Sequence, residues 1–246
     1  MDHTTTSQDH PTALITGASR GLGRALADGL ADRGWTLIID GRDRGALTRA
    51  ADALATRTQV AAVPGDVADP AHRARLRAAV DARGRLDLLV NNASALGPSP
   101  LPALVDVDED TLVAVHRTNA VAPLMLFQAV RPALTAAAGA VMNITSDAAT
   151  GPWPGWGIYG ASKAALEQFT RVLAAEHPDL AVYAVDPGDL RTDMHQAAFF
   201  GEDISDRPAP STVVPAILSL LDRRAASGRY RAPDLAADTE AAEVAW

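Results

Sequence analysis

In the stretch YGASK, Tyr159 and Lys163 are four positions apart, and helical spacing brings both side chains onto one face, one turn apart. A free phenol has a pKa of about 10, too high to exchange protons readily at neutral pH. An ammonium group held beside it stabilises the phenolate and lowers that value toward the working range, as general acid–base chemistry requires. The plain alternative is a surface pair, with the phenol half buried and the ammonium solvated. Upstream, Ser146 closes the apolar run GAVMNIT, where its hydroxyl can polarise a carbonyl oxygen. Asn119 lies inside a long helical stretch before that run. Taken singly, Ser146 reads equally as a turn residue and Asn119 as a helix residue satisfying backbone groups. Each has a plain reading alone, and a catalytic one requires that the four act together.

The N-terminal end offers a place to hold a second reactant. The run TALIT passes directly into TGASRGLG (residues 16–23) and then into a helical pattern. Gly17, Gly21 and Gly23 let the backbone turn sharply, approach a pyrophosphate and pack the helix on the sheet. Ser19, Arg20 and Leu22 belong to the same loop and are expected at the cofactor. The helix N-terminus adds free N–H groups and a positive dipole end. The second apolar run ends IIDGRD. An acid at that point takes a ribose 2′-hydroxyl, whereas an arginine accommodates a 2′-phosphate. Arg42 and Arg20 can bracket a phosphate, and Asp40 argues the other way. The expectation is NADP(H) in preference to NAD(H).

The elements that must position these groups follow from the hydrophobic pattern. Short, nearly continuous apolar runs (TALIT, WTLIID, QVAAV, LDLLVNNA, GAVMNIT, LAVYAVDPG and, weakly, GRYRA) alternate with helical stretches. Runs of that kind are parallel strands covered on both faces. The alternation predicts an α/β fold, a Rossmann-type doubly wound parallel sheet of about seven strands in a single domain. Pro70 sits near a helix start, where its missing N–H costs nothing, and Gly34 sits near a helix end. We expect a flexible arm over residues 1–11, the folded domain over 12–232, and an acidic tail over 233–246. Two long segments, 147–158 and 194–210, break the alternation where such folds bind ligands.

The chain has 246 residues, 48% hydrophobic and 21% charged, enough for a full-sized core. A net charge of −8 without basic blocks argues against nucleic acid and anionic membranes as partners. The absence of cysteine removes disulfides and thiolate chemistry. The six histidines lack metal-ligand spacing, so no metal is expected. The polar start has no signal-peptide core and no run is long enough to span a bilayer, which reads as a cytoplasmic protein.

Taken together, these motifs resemble the short-chain dehydrogenase/reductase family, single-domain type, over roughly residues 12–232. The resemblance rests on TGxxxGxG at 16–23, GDV at 65–67, NNA at 91–93, TN at 118–119, Ser146, YxxxK at 159–163 and PG at 187–188. It implies nicotinamide-dependent carbonyl or alcohol chemistry, with Tyr159 as general acid/base. It places Asp66 and Val67 beside the adenine, Asn92 and Ala93 along the cofactor groove, and Pro187, Gly188 and Thr192 at the nicotinamide end. It gives Lys163 a grip on the nicotinamide ribose, and it has Asn119 steady a water in a proton path from Lys163. A homodimer through the helices bearing Asn119 and Tyr159 is also implied.

Three departures stand out. Ser94 replaces the family's usual glycine in NNAG. Asp147 follows Ser146 where a small or apolar residue is expected, either as a solvated carboxylate or as a selector of polar substrates. SGRYRAPDL at 227–235 replaces a C-terminal pattern that supports tetramers. Trp153, Trp156, Phe199 and Phe200 fall in the two long segments and are candidate walls of a substrate pocket for an apolar or ring-bearing carbonyl compound; pinning those loops to the body would explain them as well. Two other readings stand beside an NADPH-dependent carbonyl reductase or alcohol dehydrogenase. One is a dedicated biosynthetic ketoreductase or an epimerase working through a transient ketone. The other is a catalytically silent NADP(H)-sensing regulator.

Overall fold

The computed structural model describes residues 10–237; the first nine residues of the N-terminal arm and the tail beyond 237 lie outside the described residues. Seven strands form one parallel sheet: β1 (Thr12–Ile15), β2 (Thr36–Gly41), β3 (Val60–Pro64), β4 (Leu88–Asn91), β5 (Ala140–Ile144), β6 (Ala181–Asp186) and β7 (Gly228–Arg231). Their order is β3-β2-β1-β4-β5-β6-β7, so the chain reverses its direction of travel between β1 and β4. In open parallel sheets the crevice at that switch point, outside the carboxyl ends of the strands, is where ligands sit.

The central strands β1, β2, β4, β5 and β6 are largely apolar and buried because both faces are covered, whereas the edge strands β3 and β7 are partly exposed. Leu14, Ile38, Leu89, Val141 and Val182 point into one core with α3 (Pro70–Arg83), α5 (Ala122–Ala136) and α6 (Gly157–Glu176). Ile15, Leu37, Ile39, Val90, Met142 and Val185 alternate with them and meet Leu26 and Leu30 of α1 (Gly21–Ala31), Leu47 and Leu54 of α2 (Arg44–Ala55), and Ile217 and Leu220 of α8 (Val214–Asp222). Each such side chain, fully buried, contributes roughly 2 kcal/mol. Helix starts follow local chemistry: Asp43 caps α2 by accepting from Ala46 N, and Asp69 caps α3 ahead of Pro70.

Three short helices complete the described chain. They are α4 (Glu109–His116), α7 (Asp193–Ala198) inside the second long segment, and α9 (Ala232–Ala237) after β7. Between α4 and α5 the chain makes a single π-helical turn over Arg117–Val121, with Asn119 at its centre. Such turns recur at functional sites because they displace one side chain from the helical register. No helix among the described residues is long and apolar enough to cross a membrane.

Candidate active site

The glycine loop is tied to the end of β4 by side chains from both. The Thr16 hydroxyl donates to Val90 O and accepts from Asn92 N and Ala93 N, both at 3.0 Å. The Asn92 amide donates back to Thr16 O at 2.8 Å and Gly17 O at 3.2 Å. Gly17 has φ +66°, and a Cβ there would lie 2.9 Å from Ala93 Cα, so only glycine fits. A Cβ on Gly23 would overlap the Asn92 amide and Gly17 O. Arg20, the residue before α1, caps no N–H with its side chain, which leaves the first N–H groups of that helix facing the cleft.

Asp40 is buried and turned inward. One carboxylate oxygen accepts from Gly17 N at 2.6 Å, and the other lies 3.0 Å from His72 Nε2. Arg75 Nη2 approaches His72 Nδ1 at 3.2 Å, so Nδ1 accepts and Nε2 carries the proton donated to Asp40. Gly65 of the GDV motif packs its backbone on the His72 ring, where a Cβ would overlap it. The acid that argued for NAD in the sequence thus has both oxygens engaged. Arg42, at the same strand end, is exposed and has no side-chain partner among the described residues, while Arg20 pairs with Asp193 at 2.9 Å.

A continuous cleft of about 2190 Å³ runs from this strand end across the sheet. Gly17, Ser19, Arg20, Gly21, Leu22, Arg42, Asp66, Val67, Asn92 and Ala93 line one end. Ser146, Tyr159, Lys163, Pro187, Gly188 and Thr192 line the other, together with Trp153, Trp156 and Phe199. Thr192 caps α7 by accepting from His195 N, and its methyl faces Gly21 across the cleft. Phe200 does not join this lining and is 69% exposed: α7 ends at Ala198, and of the two following aromatics only Phe199 turns in, stacking on His195 and facing Trp156.

Tyr159 and Lys163 share a face of α6, both buried, with Lys163 Nζ 5.5 Å from the phenol ring centroid. Nζ donates to Ile144 O at 2.8 Å. Burial pushes the Tyr159 phenol above its ordinary value, against hydrogen bonding by Ser94 and Ser146. Burial pulls the Lys163 ammonium down to about 7, opposed by Glu167 one turn further on. The expected lowering of the phenol by its neighbour is therefore corrected: desolvation of both groups outweighs their proximity.

Asn119 is wholly buried behind the cleft and does not line it. Its amide donates to Ala95 O and Ser162 Oγ, and its oxygen accepts from Ala95 N and Ser94 Oγ. Those four bonds use the full capacity of the side-chain amide, so any water Asn119 steadies would be held through its backbone. The residue fixes the Ser94–Ala95 segment against α6. Ser94, the departure from the family's glycine, donates to the Asn119 oxygen and lies near enough to Tyr159 to act on the phenol.

Beneath Ser146 lies a charged cluster that sequence reasoning also missed. Arg229 on β7 pairs with Glu167 at 2.9 Å and Asp186 at 3.2 Å, and donates to Ser146 O at 3.3 Å. Arg231 approaches Asp186 at 3.6 Å. Asp186 also accepts from Gly188 N, so one cluster ties together the chain segments at Ser146 and Gly188. Burial raises the Asp186 carboxyl, partly offset by Gly188 N and Arg229. The available signal was two arginines flanking Tyr230 in GRYR, opposite an acid four residues beyond Lys163 on one helix face.

One cleft joins the glycine loop to Ser146, Tyr159 and Lys163 at the carboxyl ends of a seven-stranded parallel sheet. The sequence profile described as short chain dehydrogenase matches residues 11–203. The chain is 38% identical over 187 residues to sulfoacetaldehyde reductase 2 of Chromohalobacter salexigens, covering 74% of this chain and 73% of that protein. It is 35% identical over 199 residues to sepiapterin reductase of Meriones unguiculatus, covering 75% and 76%. A solved short chain dehydrogenase of Shigella flexneri complexed with NADP superposes with TM-score 0.85 at 30% identity, covering 91% of this chain and 97% of that one. The chain belongs to the short chain dehydrogenase family of oxidoreductases.

Proposed function

We propose that the protein is an NADP(H)-dependent oxidoreductase interconverting a ketone or aldehyde with the corresponding alcohol. The observation that carries the proposal is the joining, in one cleft, of the glycine loop to Ser146, Tyr159 and Lys163. The residues fit the cofactor. Uncapped N–H groups of α1 suit a pyrophosphate. Arg42 suits a 2′-phosphate, and Asp40, spent on Gly17 and His72, is not free for a 2′-hydroxyl. The NADP in the Shigella flexneri structure supports the same choice. When bound, the nicotinamide supplies or accepts the hydride.

This chain's residues then manage the oxygen. Ser146 Oγ–H polarises the carbonyl oxygen, and Tyr159 gives it a proton in reduction or takes one in oxidation. Lys163 holds sugar hydroxyls near its ammonium, and hydrogen-bond acceptors there favour its charged form against burial, which in turn favours the phenolate. Trp153, Trp156 and Phe199 wall the substrate end. Exposed Leu112, Val113, Val121 and Val172 on α4, the turn before α5, and α6 support a homodimer through those helices.

The test is NADPH and NADH oxidation by the purified protein over aliphatic, aromatic and polycyclic ketones, beside Tyr159→Phe. We expect turnover with NADPH that Tyr159→Phe abolishes while NADPH still binds. Turnover retained in Tyr159→Phe would refute the assignment.

A further inference from the structure

Ser146 has a single proton to give, and in this structure it gives it to its neighbour. Ser146 Oγ donates to Asp147 Oδ1 at 3.0 Å and accepts from Ala148 N at 3.2 Å within the turn Asp147–Ala149. To polarise a substrate carbonyl, the hydroxyl must leave Asp147. That departure strands a charged acceptor unless something else donates to it.

Asp147 is exposed on the wall of the same cleft, and no ion pair forms to it among the described residues. The cations nearby are committed elsewhere. Arg229 sits behind Ser146, held by Glu167 and Asp186, and Arg231 is held by Asp186 and Asp234. His195, also on the wall, is biased to its neutral form by burial. One carboxylate charge therefore faces the space beside the reacting carbonyl, uncompensated by the protein.

We propose that Asp147 determines specificity, selecting carbonyl compounds that carry a hydrogen-bond donor, a hydroxyl or an ammonium group, on the carbon next to the carbonyl. The donor replaces Ser146 at Asp147 and frees the Ser146 proton for the carbonyl oxygen. An anionic group at that carbon meets the Asp147 charge and is rejected. Trp153, Trp156 and Phe199 then take the apolar remainder of the molecule. This inference rests on the carbonyl-reducing reading of the cleft.

The experiment measures kcat/KM with NADPH for ketones that differ at one position: acetophenone, 2-hydroxyacetophenone, 2-aminoacetophenone, 2-methoxyacetophenone and phenylglyoxylate. The methoxy compound reproduces the electron withdrawal of the hydroxyl without its donor. We expect the hydroxy and amino ketones to exceed the methoxy ketone by about tenfold or more, as for a site built to bond a substrate hydroxyl, and phenylglyoxylate to fall below all of them. In Asp147→Ala the hydroxy-to-methoxy ratio collapses to about two or less. Asp147→Asn, which keeps the size and an acceptor, loses the ammonium advantage and the carboxylate penalty. Equal rates for hydroxy and methoxy ketones, or a ratio unchanged in Asp147→Ala, overturns the inference alone. Absence of turnover on all five overturns the carbonyl-reducing reading, and this inference with it.

Discussion

Replacing Lys163 by methionine should make the protein's stability less dependent on pH, by an amount the burial of the ammonium dictates. Lys163 is 2% exposed, and burial lowers it from 10.5 to about 7. A proton is thus bound more tightly in the unfolded chain, so between these two values stability rises with pH as the unfolded state gives that proton up. At roughly 1.4 kcal/mol per pH unit, the burden on the folded state is about 4 kcal/mol near pH 7 and about 1 kcal/mol near pH 9.5. Lys163→Met removes this pH-dependent part. It also breaks the bond to Ile144 O, a loss on the order of 1 kcal/mol that is the same at every pH. Urea denaturation of cofactor-free protein near pH 6.5 and near pH 9.5 isolates the difference. Allowing for relaxation around the charge, the stability of the variant relative to wild type should be more favourable at the lower pH by about 1–2 kcal/mol or more. A difference that does not change across this window would refute the picture of a desolvated ammonium.

Two further outcomes follow from the same geometry. Arg42→Ala should weaken NADPH binding by about tenfold or more, the effect of losing a charge-assisted bond, and leave NADH nearly unchanged; titration calorimetry with both cofactors reads the ratio, and equal losses would contradict a 2′-phosphate contact. Arg229→Met leaves Glu167 and Asp186 buried without their shared cation, which should cost on the order of 3 kcal/mol at neutral pH and lower the Tm by about 6–12 °C. Asp186, whose carboxyl burial already raises, then takes up a proton more readily, so the loss should shrink toward pH 5; a loss independent of pH would rule out an electrostatic origin.

The fold was legible because its signals are local and repeated. All seven runs became strands; the central ones were legible because a parallel strand buried on both faces can hardly be written otherwise, while GRYRA at the sheet edge carried only a weak signal. Asp69 and Pro70 open α3 as a capped start should. The chemistry was legible at Tyr159 and Lys163 because helical spacing alone puts them on one face. Their ionisation was not, since it depends on burial, which Ile144, Ser94 and Trp156 create from distant parts of the chain. The π-turn at Asn119 escaped because one shifted backbone bond leaves the residue pattern unchanged. Phe199 and Phe200 are alike in sequence, and only the point at which α7 ends decides which of them turns inward.

Specificity was the least legible property, because it resides in which charges remain unpaired. Three of the acids along the cleft bear on this: Asp40 and Asp186 in strands and, one residue past Ser146, Asp147. In the sequence each could face a ligand. His72 and Gly17 N occupy Asp40, and with that acid turned inward Arg42 is left as the charge presented at the adenosine end. Arg229, Arg231 and Gly188 N occupy Asp186 in the same way. Asp147 forms no ion pair among the described residues, and its one side-chain hydrogen bond there comes from the Ser146 hydroxyl. His72 and Arg229 touch neither the cofactor nor the substrate in this reading. On the reading proposed above, engaging two of these three acids leaves an exposed arginine toward one end of the cleft and an exposed carboxylate toward the other, which would set the phosphate and the carbonyl compound it holds.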